Sequence, residues 1–94
     1  MYSLRVDIGV LKELRDPQQY LAKIYRQITL KIFSLEDNPR PPDSKRIGGG
    51  YRVDTGEYRI LYEVDDSKQI ITVRLVGPRN DDAVYERARR MGLI

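Results

Sequence analysis

Apolar and polar residues change rhythm twice along this chain. It opens with "YSLRVDI", which alternates at period two as a half-buried strand does, and continues into "GVLKELR", enough for one or two helical turns. The spacing then lengthens to three and four. Leu21, Ile24, Ile28, Ile32 and Leu35 fall on one stripe of a helical cylinder, with Lys23, Gln27 and Lys31 elsewhere on it. Asp16 as N-cap, Pro17 at the first helical position and Gln19 three residues after the cap predict that this helix starts there, because each satisfies or tolerates orphan N–H groups. It is predicted to end near Leu35, since Pro39, Pro41 and Pro42 cannot continue a helix.

From Lys45 the period returns to two. "KRIGGGYRVD", "EYRILYEV" and "QIITVRLVG", separated by "TG" and "DDSK", predict an antiparallel meander. The closing "NDDAVYERARRMG" predicts a helix with Asn80 as N-cap, Asp81 and Asp82 in its first turn and Arg87, Arg89 and Arg90 toward its C-terminal end, as the helix dipole favours. Its buried stripe is Val84, Ala88 and Met91. The order β-α-α-β-β-β-α describes a small single α+β domain over residues 1–94, an antiparallel sheet with two N-terminal helices on one face and a short C-terminal helix.

Within "YRVDTGEYRILYEV", a loop of Thr55 and Gly56 sets Asp54 opposite Glu57, Val53 opposite Tyr58, Arg52 opposite Arg59 and Tyr51 opposite Ile60. One face then holds Tyr51, Val53, Tyr58, Ile60 and Tyr62, and the other Arg52, Asp54, Glu57 and Arg59. A slip of one residue would mix core with solvent. Counting on through "DDSK", with Asp65 opposite Lys68, brings Arg74 beside Arg59 unless a bulge intervenes. Three arginines abreast are expected, although like charges directly opposite cost a few tenths to about 1 kcal/mol. Either Asp54, Glu57 and Glu63 neutralise the row in solvent, or the row receives an anion such as phosphate.

Composition narrows the chemistry. The 94 residues suit one core, and 33% charged with 40% apolar residues excludes a disordered chain. Twelve Arg against five Lys produce the net charge of +3, and arginine's planar fork favours phosphate or carboxylate partners. With neither Cys nor His, the chain has no disulfide, thiolate nucleophile, Ser-His-Asp or Cys-His triad, or common zinc site. No carboxylate spacing suggests another metal, and Asp65, Asp66, Asp81 and Asp82 read as turn and cap residues. The N-terminus lacks a leader-like apolar run and no eighteen apolar residues follow one another, so a cytoplasmic protein without membrane contact is expected. The glycines of "RIGGGYR" form no P-loop, because no Lys-Ser/Thr pair follows; they mark a bulge or a close backbone approach. Arg79 falls where the last strand meets the final helix, a place suited either to binding or to bracing the turn. Tyr85 lies beside the final helix's apolar stripe, not within it.

Together, "YRVDTGEYRILYEVDD", "ITVRLVGPR" and "VYERA" resemble the RelE/ParE superfamily of toxins from bacterial and archaeal toxin-antitoxin pairs. The two leading helices and the "NPRPPDSKRIGG" connector match the family layout over nearly the whole chain, and the RelE-like branch is favoured. For that branch the resemblance implies inhibition of translation by cleavage of messenger RNA in the ribosomal decoding site, without metal or other cofactor, through attack of a ribose 2′-OH on its own 3′-phosphate. It implies that Arg59 holds the scissile phosphate, that Arg79 serves phosphate or leaving-group chemistry, and that Tyr85 stacks on the substrate and assists proton transfer. Arg52, Arg74, Lys45 and Arg46 complete the set expected to bind RNA phosphates. The implied partners are the ribosome with its mRNA and a small antitoxin encoded next door, whose flexible segment wraps the toxin.

Two positions depart from the family pattern. Asp54 stands where a second basic residue is common, and Pro78 where His or Lys often precedes the arginine. Arginine stays protonated near neutral pH and cannot take the proton of the 2′-OH, so a carboxylate, Asp54 on the arginine face, or Tyr85 is expected to take that role, or else the enzyme is slow. The departures keep open a ParE-like toxin that binds DNA gyrase and has no hydrolytic site, and a catalytically inactive RNA- or protein-binding relative.

Overall fold

Both faces of a central sheet are covered, and this explains why "ILY" in the middle of the chain breaks its alternation. The computed structural model describes residues 1–80 and 82–94. Its elements are β1 (Ser3–Val6), α1 (Ile8–Arg15), α2 (Ala22–Ser34), β2 (Lys45–Ile47), β3 (Gly50–Thr55), β4 (Tyr58–Asp65), β5 (Ile70–Pro78) and α3 (Ala83–Arg90). The strands lie in the order β1-β5-β4-β3-β2. Ile60 and Tyr62 of β4 face a large core closed by α1 and α2, while Leu61 between them faces a small core closed by α3. All three are therefore buried. Among the described residues no helix is long and apolar enough to cross a membrane.

The α+β class stands, with two N-terminal helices on one face and a short C-terminal helix, and the sheet differs from the expected one in two respects. Strands β2 to β5 are antiparallel neighbours, but β1 joins β5 in parallel, with Ser3 beside Ile70 and Val6 beside Val73. "KRIGGGYRVD" is two strands and not one: Gly48 turns the chain at φ +56°, and a Cβ there would stand 2.2 Å from the Leu93 carbonyl oxygen. Only glycine fits so close to the chain's last residues.

Helix α2 begins at Ala22, later than the capping signature predicts. The Asp16 carboxylate does accept from the Gln18 N–H at 2.9 Å and from Gln19 Nε2 at 3.4 Å, but this closes a single turn. Tyr20 is then drawn inward against Tyr58, with ring centroids 5.5 Å apart, and Leu21 is left 71% exposed outside the stripe it was assigned to. Ile28, Ile32 and Leu35 are buried as expected. In α3, Val84 and Ala88 are buried, Met91 is 40% exposed, and Leu93 packs against the cluster in its place. Asp82 and not Asn80 precedes α3, and the Asn80 amide instead donates to Glu57 Oε2 at 3.3 Å. The first-turn role assigned to Asp81 lies outside the described residues.

The "DDSK" turn is also longer than predicted. Asp65 pairs with Ile70, and its Oδ1 accepts from Ser67 Oγ at 2.8 Å and from the Lys68 N–H at 3.1 Å. This hydrogen-bonded loop replaces the direct Asp65–Lys68 pairing.

Candidate active site

The hairpin that carries the site turns at Gly56 and Glu57, one residue later than predicted. Thr55 faces Tyr58, Asp54 faces Arg59, Val53 faces Ile60, Arg52 faces Leu61 and Tyr51 faces Tyr62. Moving the turn by one residue changes every pairing and leaves both faces as they were, because period-two alternation determines parity alone. The turn glycine makes the choice. Gly56 has φ +58° at the first of the two loop positions, as a type II′ hairpin turn requires. A Cβ on it would also stand 2.2 Å from Gln27 Nε2 of α2. Arg52 is thus not opposite Arg59.

Strand β5 breaks the expected row again. A bulge between Leu61 and Tyr62 leaves Arg74 without a partner in the ladder, while Arg59 pairs with Gly77. Three residues of strand put Arg74 about 10 Å further along the sheet from the position beside Arg59. There its Nε donates to Asp7 Oδ2 at 2.7 Å and its Nη1 to Glu63 Oε1 at 2.8 Å. Hydrogen bonds to Glu63, then to Asp7, raise its pKa, and through them Arg74 ties β5 to β4 and to the residue between β1 and α1. Arg46 is also elsewhere. It pairs with Tyr51, on the other face of the sheet, where Arg40 and Arg46 bracket the Tyr51 ring at 5.1 and 5.2 Å. The three-arginine row does not form.

What assembles instead is a cluster round Asp54. Arg59 Nε donates to Asp54 Oδ1 at 2.7 Å and Nη2 to Oδ2 at 3.1 Å, a two-pronged pair whose side chains are 13% and 29% exposed. Arg79 Nη1 lies 3.9 Å from Asp54 Oδ2, on a side chain that is 43% exposed. The Arg79 N–H donates to the Glu57 carbonyl at 2.9 Å, tying the end of β5 to the hairpin tip. From α3, Tyr85 accepts a hydrogen bond from Arg59 Nη1, and the Arg59 guanidinium lies 5.5 Å from the centre of its ring. Val84 and Ala88, buried on either side of Tyr85 in sequence, hold that helix against Leu61 and Leu75.

Lys45 of β2 stands directly opposite Arg52 of β3, so a like-charged pair does exist on this face, between different residues from those predicted. Among the described residues neither side chain makes a hydrogen bond or a close ion pair. The structure therefore brings together Arg59, Arg79, Tyr85, Arg52, Lys45 and Asp54, and separates Arg74 and Arg46 from them. The central place of Asp54 was the residue-level fact that sequence reasoning missed. Assigning Gly56 to the first loop position would have found it.

Hydrogen bonds from Arg59 hold the Asp54 carboxyl below the usual aspartate range; partial burial opposes this, and the charges of Arg59, Arg52 and Arg79 reinforce it. A carboxylate made more acidic takes a proton less readily, which weakens Asp54 as the acceptor suggested by the sequence. Tyr85 is differently placed. Its oxygen accepts from Arg59, so its O–H is directed to donate elsewhere. Among the described residues no group of three or more carboxylates converges as metal ligands would.

A family model described as the ParE toxin of type II toxin-antitoxin system, parDE, matches residues 6–83. The chain belongs to the RelE/ParE superfamily of type II toxins. Among solved structures, the toxin is similar to an arginine-to-alanine double variant of E. coli RelE in the free state, at TM-score 0.75 and 26% identity over 96% of each chain. It is similar to RelE of the archaeal RelE–RelB complex from Pyrococcus horikoshii OT3, at TM-score 0.73 and 27% identity, covering 83% of this chain and 94% of that one. The isolated E. coli RelE toxin matches at TM-score 0.70 and 27% identity over 99% of this chain and 100% of its own. No curated protein matches the chain significantly by sequence.

Proposed function

We propose that this toxin cleaves messenger RNA on the ribosome, as the RelE-like branch does, and that a small antitoxin neutralises it. The observation that carries the reading is the convergence of Arg59 from β4, Arg79 from the end of β5 and Tyr85 from α3, with Arg52 and Lys45 alongside. In the reaction the 2′-oxygen forms a bond to phosphorus and the bond from phosphorus to the 5′-oxygen breaks. Arg59 and Arg79 stabilise the charge that collects on the phosphoryl oxygens, and the Tyr85 O–H protonates the departing 5′-oxygen. Lys45 and Arg52 hold neighbouring phosphates. With Asp54 held by Arg59 and Tyr85 acting as donor, the 2′-OH proton passes to solvent water, and that transfer limits the rate; the Tyr85 oxygen regains its proton from solvent. The RelE relatives from Pyrococcus horikoshii and E. coli were solved in complex with RelB, which supports a partner of that kind here.

Primer extension on a reporter transcript, with purified ribosomes, tests the assignment. Arg59→Ala and Arg79→Ala are each expected to lower cleavage by about a hundred-fold or more while the circular dichroism spectrum is retained. Toxicity that disappears in these variants without any change in transcript ends in the parent would sink the reading.

A ParE-like action on DNA gyrase is the second reading, favoured by two observations: the description of the matching family model and the two-pronged hold of Asp54 on Arg59. It predicts DNA damage with transcripts intact. An inactive relative would leave growth unaffected on expression.

A further inference from the structure

The carboxylate of Asp54 sits where a phosphate would be expected to sit. Its two oxygens take parallel hydrogen bonds from Arg59 Nε and Nη2, at 2.7 and 3.1 Å, in the fork geometry that arginine offers equally to carboxylate and phosphate. Arg79 approaches the same oxygen that Nη2 binds. Arg52 lies two residues along β3 on the same face, with its charge acting on Asp54, and Lys45 stands across from Arg52; among the described residues neither makes a close ion pair, and Glu57 at the hairpin tip is engaged with Asn80 instead. Among the described residues, Asp54 is thus the carboxylate on which Arg59 and Arg79 converge, with Arg52 and Lys45 on the same face.

We infer that Asp54 is a resident counter-ion that keeps Arg59 and Arg79 aimed at one point while the site is empty, and that an RNA phosphate enters by displacing it. Asp54 is then a positioning and threshold residue, outside the bond-making steps. Free RNA competes poorly with a carboxylate attached to the next strand. RNA already held by a larger assembly arrives at high effective concentration and wins. Selectivity for bound over free message follows from an internal competitor, without any contact to base edges. The inference rests on the ribonuclease reading only for the identity of the incoming anion.

The test is direct binding of a short fluorescent single-stranded RNA to the full chain, as a function of salt. Asp54→Asn keeps the shape and one acceptor but removes the charge. It is expected to bind about ten-fold more tightly than the parent, with the slope of log K against log salt steeper by about one phosphate contact. Glu57→Gln removes the same charge from the same hairpin and is expected to change binding by less than about two-fold, since exposed charges are largely screened. In an Arg59→Ala background the Asp54→Asn gain should vanish, because the two residues act as one unit. If Asp54→Asn melts below the assay temperature, Asp54→Ser carries the same expectation.

Binding by Asp54→Asn equal to that of Glu57→Gln, or a gain that survives loss of Arg59, overturns the inference. So does loss of ribosomal cleavage with RNA binding unchanged, which would make Asp54 a proton acceptor after all. Tighter binding by Asp54→Asn with no cleavage by the parent toxin would leave the inference standing and remove the ribonuclease reading.

Discussion

The two faces of the sheet differ in what holds their covers in place. Among the described residues, twelve buried ones interlock on the α1 and α2 face, with Tyr2, Leu4, Val6 and others packed round them. On the α3 face, four of the described residues are buried, and the covering helix is eight residues long and ends in Arg89 and Arg90. It is also held by an ion pair to α1, from Arg87 Nη2 to Glu13 Oε1 at 2.6 Å, and by the hydrogen bond from Arg59 to Tyr85. Stability scales with apolar area removed from water, so the first face sets whether the chain folds. The second determines where Tyr85 stands over Arg59. Fold and site are thus carried by separate cores, and each can be disturbed with modest effect on the other.

The largest blow to that division is Ile28→Ala. Ile28 is fully buried in the large core, and its truncation should cost about 2–5 kcal/mol through lost transfer energy and the cavity left behind. A lower urea midpoint with an unchanged slope would report it. Val84→Ala should cost less, about 1 kcal/mol, within the usual range for single substitutions. Hydrogen exchange should then show α3 amides losing protection while those of β3 to β5 keep theirs, with RNA cleavage falling in step. Exchange of α3 and β4 as one unit would break the comparison.

The smallest effect is expected on acidification. Asp54 has a folded pKa below its unfolded value of about 3.9, so the folded state binds fewer protons. Its contribution is complete above that value and is lost as pH falls through the depressed folded pKa. Acid melting of Asp54→Asn should therefore be flatter than that of the parent below about pH 4. Asp65 and Asp66 titrate alike in both proteins, so parallel curves would show that Asp54 contributes nothing there.

How much of this was legible in the sequence depends on which physical rule was being read. Alternation placed Tyr51, Val53, Ile60 and Tyr62 on the core face and Arg52, Asp54 and Arg59 on the other, because burial enforces parity. It left the pairing open by a shift of the turn, and the backbone conformation of Gly56 closed that gap. The bulge at Arg74 left no local mark, since Arg74 sits between apolar residues that read as ordinary strand. At Asp16 the expected N-cap of the long helix was wrong: Asp16 ends α1 and closes a local turn, Leu21 precedes α2, and Tyr20 between them is buried in the core, a tertiary contact that local propensity does not report. Arg59, Arg79 and Tyr85 are far apart in the chain, and the family resemblance, not spacing, picked them out together.

One strand that adds little to the core has a consequence beyond it. β2 is three residues long, forms one margin of the sheet and begins with two cations, Lys45 and Arg46; at the opposite margin the four-residue β1 carries Arg5. Open backbone edges recruit other chains into fibrils, and short, positively charged ones are poor templates. Edge-to-edge pairing of copies through β1 or β2 is therefore disfavoured.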